Sequence, residues 1–139
     1  MKPLLVLSIA WCLFVSLPAD TKEAEGLEGE WIVISEESFG NKTPEQETSK
    51  MRIAVKDGKI IATLDKESHT ATFKIDADKK PAEIDITHQD GPDAGRTERG
   101  IYEFTGETLK LCVNENSTDR PKEFSSKNGT LMVLKRVKP

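Results

Sequence analysis

The residues of this 139-residue chain best suited to chemistry are two histidines, two cysteines, an Arg-Pro-Lys-Glu-Phe cluster and an abundance of carboxylates. His69 and His88 flank two strand-like runs, Ala71–Ile75 and Ala82–Ile86. A hairpin register that pairs Phe73 with Ile84 sets the two imidazoles opposite each other. Two imidazoles begin a zinc or copper site, but such a site needs a third or fourth ligand, which Asp90 or Glu98 would have to supply. A register shift of two residues abolishes the pairing and leaves two solvated histidines.

Cys112 alternates out of phase with Tyr102, Phe104, Leu109 and Leu111, which places it on the outer side of its strand beside Ile101. A nucleophilic thiol needs a base and a lowered pKa, and no neighbour in sequence supplies either. A packed thiol is the expectation, with pairing to another chain as the alternative. In Arg120-Pro-Lys-Glu-Phe124 the guanidinium fork suits a ligand carboxylate. The plainer reading is a turn fixed by Pro121, with Arg120 paired to a loop carboxylate and Phe124 in the core.

Carboxylates such as Glu36, Glu37, Asp76, Asp78 and Asp85 fall in turns or on wet faces. General acid–base work needs one carboxyl held in an apolar setting. The chain therefore carries no catalytic signature, and neither enzyme activity nor a cofactor is expected. With 20 basic against 24 acidic residues and a net charge of −4, nothing supports nucleic-acid binding. Asn41-Lys-Thr43, Asn116-Ser-Thr118 and Asn128-Gly-Thr130 are glycosylation sequons, which matter only in a eukaryotic source.

Residues 1–19 open with Lys2, continue through Leu4 to Leu17 and close with Pro18-Ala19. This reads as a secretory signal peptide, because an apolar run of about 14 residues falls short of the roughly 20 that cross a bilayer as a helix. Cleavage is expected near Ala19, followed by a short linker over 20–26 and one domain over 27–139. A lipid anchor on Cys12 is the alternative, although Trp11 stands where a small residue would be needed. Removal of the leader leaves Cys112 as the single thiol, so no internal disulfide forms. The mature chain is expected in the periplasm or outside the cell, as a monomer without a transmembrane span.

Alternating apolar residues supply the framework for these groups. Met51–Leu64 holds two period-two runs around Asp57-Gly58, a type I′ hairpin signal. Its register pairs Val55 with Ile60, Ile53 with Ala62 and Met51 with Leu64 on the core face. In Gly100–Val113, Gly106 opens a two-residue turn, so Phe104 faces Leu109, Tyr102 faces Leu111 and Glu103 faces Lys110. Ala71–Ile75 and Ala82–Ile86 form a hairpin across residues 76–81, and Lys127-Asn-Gly-Thr130 turns into a last strand, Leu131–Leu134.

The first strand is Trp31–Ser35. Within the longest non-strand stretch, Glu36–Lys50, Thr43-Pro-Glu-Gln46 predicts a helical turn over about 44–50 with Thr43 as its cap. Eight strands result, with a possible ninth at Lys122–Ser126. Short turns between consecutive strands favour an all-β, antiparallel, up-and-down barrel, whose closure removes exposed edges.

Leu27-Glu-Gly29-Glu-Trp31 at the head of the domain and Arg136 near its end resemble the lipocalin-type Gly-x-Trp opening, in which the tryptophan plugs one end of the barrel beneath an arginine. Pro81-x-x-Ile-Asp-Ile86, Gly100-Ile-Tyr-x-Phe-x-Gly-x-Thr-Leu-Lys-Leu-Cys112, Arg120-Pro-x-x-Phe124 and Leu134-Lys-Arg136 extend the match over nearly the whole mature chain. Together they resemble an uncharacterised lipocalin-like domain family abundant in planctomycete bacteria. That resemblance implies a lipocalin-like barrel and no established activity, ligand or catalytic residue. Thr105-Gly106-Glu107 stands where the family has Asp-Gly-Asp.

The expected structural positions are Gly29, Trp31 and Arg136 at the plug, with Gly58 and Gly106 in turns. The expected cavity wall is Met51, Ile53, Val55, Ile60, Leu64, Phe73, Tyr102, Phe104, Leu109 and Leu111, with 36–50 as a lid over the mouth. Such a barrel is expected to bind a small or apolar ligand. The alternative is a structural or protein-interaction module of the cell envelope, its barrel filled by side chains.

Overall fold

The computed structural model describes residue 24, residues 26–115 and residues 118–138. The leader, Cys12 and most of the linker lie outside the described residues, as do Asn116 and Ser117. The chain forms β1 (Gly29–Ser38), β2 (Asn41–Lys42), α1 (Glu45–Thr48), β3 (Met51–Lys56), β4 (Lys59–Leu64), β5 (Glu67–Asp76), β6 (Ala82–His88), β7 (Thr97–Thr105), β8 (Thr108–Asn114) and β9 (Gly129–Arg136). Each strand from β3 onward pairs antiparallel with the next, and β9 returns to pair with β1. The result is a closed, eight-stranded, up-and-down barrel with very little helix, the architecture of a lipocalin-like domain.

The two tight hairpins follow the expected registers. Met51 faces Leu64, Ile53 faces Ala62 and Val55 faces Ile60. Asp57 and Gly58 both take positive φ, 53° and 76°, as a type I′ turn requires. Phe104 faces Leu109, Tyr102 faces Leu111 and Glu103 faces Lys110, with Gly106 at φ 58° opening the turn.

Other boundaries differ from the expectation. β1 runs on to Ser38 and forms a stub hairpin with β2, which is the ninth strand; residues 122–126 are not a strand but part of an irregular cover on the outer wall. α1 spans only Glu45–Thr48 with Pro44 at its N-cap, because the Thr43 hydroxyl donates to Glu36 Oε1 at 2.9 Å instead of capping the helix. The β5–β6 hairpin is shifted by two residues, pairing Phe73 with Ile86 and Ile75 with Ile84. A shift of two residues keeps Phe73 and Ile75 pointing inward, so the apolar pattern admits both registers and the polar loop does not fix one of them.

One irregularity matters for the interior. Between Val33 and Ser35 the β1–β9 register slips, making Ile34 the extra residue of a β-bulge. Trp31 and Val33 point inward before the bulge, and Glu36 and Ser38 line the interior after it. The exposed Ile34 side chain follows from the same bulge.

Antiparallel order gives the barrel two unlike ends. The start of β1 and the end of β9 meet at one end, where Trp31 is fully buried. Its indole Nε1 donates to Leu27 O at 2.9 Å, and Arg136 lies over the ring at 4.4 Å from its centroid. Phe104 meets Trp31 edge-on, with centroids 5.9 Å apart and planes at 81°. Arg136 also donates to Glu28 O at 2.6 Å and to Gly26 O, fixing the segment that precedes β1. Gly29 has φ 129°, and a Cβ there would stand 2.9 Å from Arg136 Nη1. The glycine of Gly-x-Trp therefore gives the arginine its path to the indole.

Candidate functional site

The barrel encloses a cavity of ≈ 320 Å³. Of the ten residues expected in its wall, Ile53, Val55, Ile60, Phe73, Tyr102, Leu109 and Leu111 line it. Met51, Leu64 and Phe104 lie outside the lining: Met51 packs against the core at the rim, and Leu64 and Phe104 are exposed. Leu64 ends its strand beyond the enclosed part of the barrel, and Phe104 packs on the far side of the plug against Trp31. Ile84, Ile86, Val113, Met132 and Leu134 complete the apolar floor, with Leu27 and Trp31 at its base.

The upper wall is polar. Following the same inward-facing positions toward the other end of the strands leads to His69 on β5, His88 on β6, Glu98 on β7, Glu115 after β8 and Thr130 on β9, and the bulge at Ile34 adds Glu36 and Ser38 from β1. The inner face thus changes from aliphatic and aromatic to acidic and hydroxylic toward the mouth. His69, with its side chain 56% exposed, marks where the cavity meets solvent. No residue of 39–50 lines the cavity, so the segment expected to form a lid contributes only its first residues, Glu36 and Ser38, to the wall.

These polar groups are organised. The Thr130 hydroxyl donates to Glu115 Oε1 at 2.5 Å, and Ser38 Oγ lies 2.8 Å from Thr130 Oγ1. Since the Thr130 proton is committed to the carboxylate, the Ser38 hydroxyl is the donor of that second bond. Glu36 Oε1 receives the Thr43 hydroxyl. His88 Nε2 is shut off from solvent and stands 3.3 Å from Glu98 Oε1 without hydrogen-bond geometry. Arg96 Nη2 approaches Glu98 at 3.9 Å from outside the lining, and Arg96 also donates to the Glu115 carbonyl.

The expected face-to-face histidine pair is not formed. The two-residue shift sets His88 opposite Ala71, and His69 faces Ala62 on β4. Each imidazole instead meets a different carboxylate, His69 Nδ1 reaching Asp90 Oδ1 at 3.3 Å and His88 reaching Glu98. Among the described residues no group of three His, Cys, Asp or Glu side chains is placed to hold a metal ion.

Cys112 does point outward beside Ile101, but both are buried, because the segment leading to β9 folds over this wall. Cys112 Sγ lies 3.2 Å from Ser125 O and 3.7 Å from Glu123 O. Burial pushes the thiol above the usual cysteine range, while the backbone of Ser125 pulls it back in part. That is the opposite of an activated nucleophile.

Arg120 fastens this cover. It pairs with strand carboxylates, not a loop one: Nη2 to Asp85 Oδ1 at 2.7 Å and Nε to Glu83 Oε1 at 3.4 Å. Nη1 donates to Ile84 O and Gly100 O at 3.0 and 2.8 Å. Its fork is therefore occupied within the protein. Phe124 lies half-buried on the outer wall, with Lys110 Nζ 5.4 Å from its ring centroid, and not in the barrel core.

In the cavity and its polar collar, space inside the barrel and converging functional groups coincide. No protein-family model, curated protein or solved structure matches the chain.

Proposed function

We propose that the chain is an exported member of the lipocalin-like group its motifs resemble, and that it holds a small amphipathic molecule inside the barrel. The observation that carries this reading is the ≈ 320 Å³ of interior space with an apolar floor and a polar, solvent-facing rim. Small-molecule sites of roughly 300 to 1,000 Å³ with apolar walls and a few directed polar groups are the common form. The floor takes up the apolar body of the ligand, the collar orients its head, and burial of apolar surface contributes about 25 cal/mol per Å². A packed envelope module would be expected to fill this space with its own side chains. Exit from the cell rests on residues 1–19, whose composition fits a cleaved leader.

A thermal-shift screen of the protein with lipids, sugars and metal ions tests the reading. A ligand that binds only the folded state raises the melting temperature in proportion to the logarithm of its concentration over Kd. Amphipathic and lipid-like compounds are expected to raise it, and sugars and metal ions to leave it unchanged. Failure of every lipid-like compound to stabilise the fold sinks the binding reading.

A further inference from the structure

The inventory of donors and acceptors in the collar indicates which head group the ligand carries. Three carboxylates, Glu36, Glu98 and Glu115, line the cavity, and no lysine or arginine does. The hydroxyls nearest them are already spent, Thr43 on Glu36 and the Ser38–Thr130 pair on Glu115, while His69, also in the wall, is turned to Asp90 and the Thr70 and Tyr102 side chains belong to other parts of the lining. His88 Nε2, shut off from solvent and without a hydrogen bond, faces the Glu98 carboxylate. Arg96, at 3.9 Å from Glu98, is a neighbouring cation but stands outside the wall. The collar is therefore rich in acceptors, short of donors and negative, directly above an apolar floor.

Strand order brings Glu98 and Glu115 together at the top of the wall, whereas Glu36, the partner of Met132, lies nearer the floor. Gly100, Val113, Thr130 and Ser38 are register partners in turn across β7, β8, β9 and β1. Glu98 and Glu115 are the next inward positions above Gly100 and Val113, so both stand one step above the arc that ends at Ser38. A bound head that is itself a carboxylate or a phosphate would meet like charge here. A hydroxyl brings a single donor. An ammonium brings three donors and the complementary charge.

We propose that the preferred ligand is an amphipathic amine, its hydrocarbon body on the apolar floor and its ammonium held by Glu98 and Glu115. This rests on the binding reading above and specifies its ligand class.

Three probes with one chain length and different heads, octylamine, octanol and octanoate, separate the two claims. Trp31 lies at the cavity base, and Trp11 is the other tryptophan of the sequence. In the full chain carrying Trp11→Phe, Trp31 emission reports entry, with calorimetry as the second reading. Octylamine is expected to bind about tenfold or more tighter than octanol, the scale of a charge-assisted hydrogen bond. Octanoate is expected to bind more weakly than octanol.

The double variant Glu98→Gln with Glu115→Gln is expected to lose that advantage for octylamine while its octanol affinity stays within about twofold. Equal affinities for the three probes, or preference for octanoate, overturns the amine assignment and leaves the binding reading standing. Saturable binding of none of them overturns both. Should the double variant fail to fold, the order of the three probes on the unsubstituted collar decides alone.

Discussion

The two ends of the barrel are built on the same inward-facing positions of the same strands, yet they solve opposite problems. At the plugged end Trp31 is wholly buried, its one polar atom is bonded to Leu27 O, and Arg136 and Phe104 pack on it from outside. At the mouth the inner face holds Glu98, Glu115 and Ser38, each partly exposed, and the buried Thr130; Ser38, Thr130 and Glu115 are bonded to one another, and Glu98 meets His88 and Arg96. A barrel with apolar residues at both ends would pack more tightly and enclose nothing selective. Placing stability at one end allows the other to carry polar groups that a core would exclude. The difference predicts that substitutions at the plug cost folding energy, whereas substitutions at the mouth cost binding.

Trp31→Ala is the strongest challenge to that division. Truncating a buried indole removes its apolar contacts and leaves a void, for a loss of about 3 to 5 kcal/mol. The same change strands the Arg136 guanidinium over an absent ring. A urea titration should show the midpoint fall with the slope nearly kept. An unchanged midpoint would mean that the plug does not anchor the barrel, and the contrast between the ends would collapse.

Arg120→Ala addresses a third region, the cover on the outer wall, which belongs to neither end. Arg120 holds two carboxylates and two backbone carbonyls, and its removal leaves those acceptors without their donor. Its side chain is about a fifth exposed, so the expected loss is about 1 to 3 kcal/mol, below the figure for a fully buried pair. The cover should then open more often over Cys112, which is buried beneath it. Labelling of Cys112 by a maleimide is expected to speed up about tenfold for each 1.4 kcal/mol by which closure is weakened. Slow labelling unchanged by the substitution would show that residues other than Arg120 hold the cover down.

The plug was far more legible in the amino-acid sequence than the mouth, and the reason is physical. Trp31, Gly29 and Arg136 are rare, bulky or conformationally special residues whose plug roles the Gly-x-Trp resemblance implies, and the Asp57-Gly58 and Gly106 turns set their hairpin registers locally. The collar consists of common polar residues that declare themselves only once their direction is known. For Glu36 and Ser38 that direction depends on the bulge at Ile34, since strict alternation from Trp31 would send Ser35 and Glu37 inward instead. Glu98 and Glu115 lie at the edges of strands whose apolar pattern stops short of them. The shift of the β5–β6 register has the same origin, because a six-residue polar loop does not fix its ends as a two-residue turn does. An apolar pattern predicts a floor, and a rim has to be found by counting outward from it along correct registers.

The smallest expected effect bears most directly on the contrast, because it concerns a half-buried carboxylate that an ordinary core would not tolerate losing. Glu98 is about 15% exposed and meets His88 and Arg96 at 3.3 and 3.9 Å, neither contact having the geometry of a strong bidentate pair. Replacing it by Gln keeps the volume and removes the charge. The expected change in folding stability is within about 1 kcal/mol, as for partly solvated ion pairs, against several for Trp31→Ala. Removal of one of three like charges lining the cavity should also relieve some of their mutual repulsion, which offsets the lost contacts with His88 and Arg96. If Glu98→Gln instead destabilised the barrel as much as the loss of the plug, the collar would be structural and the two ends would be doing the same job. A near-neutral midpoint combined with weaker binding of octylamine would separate them, folding energy residing where the barrel is closed and recognition where it is open.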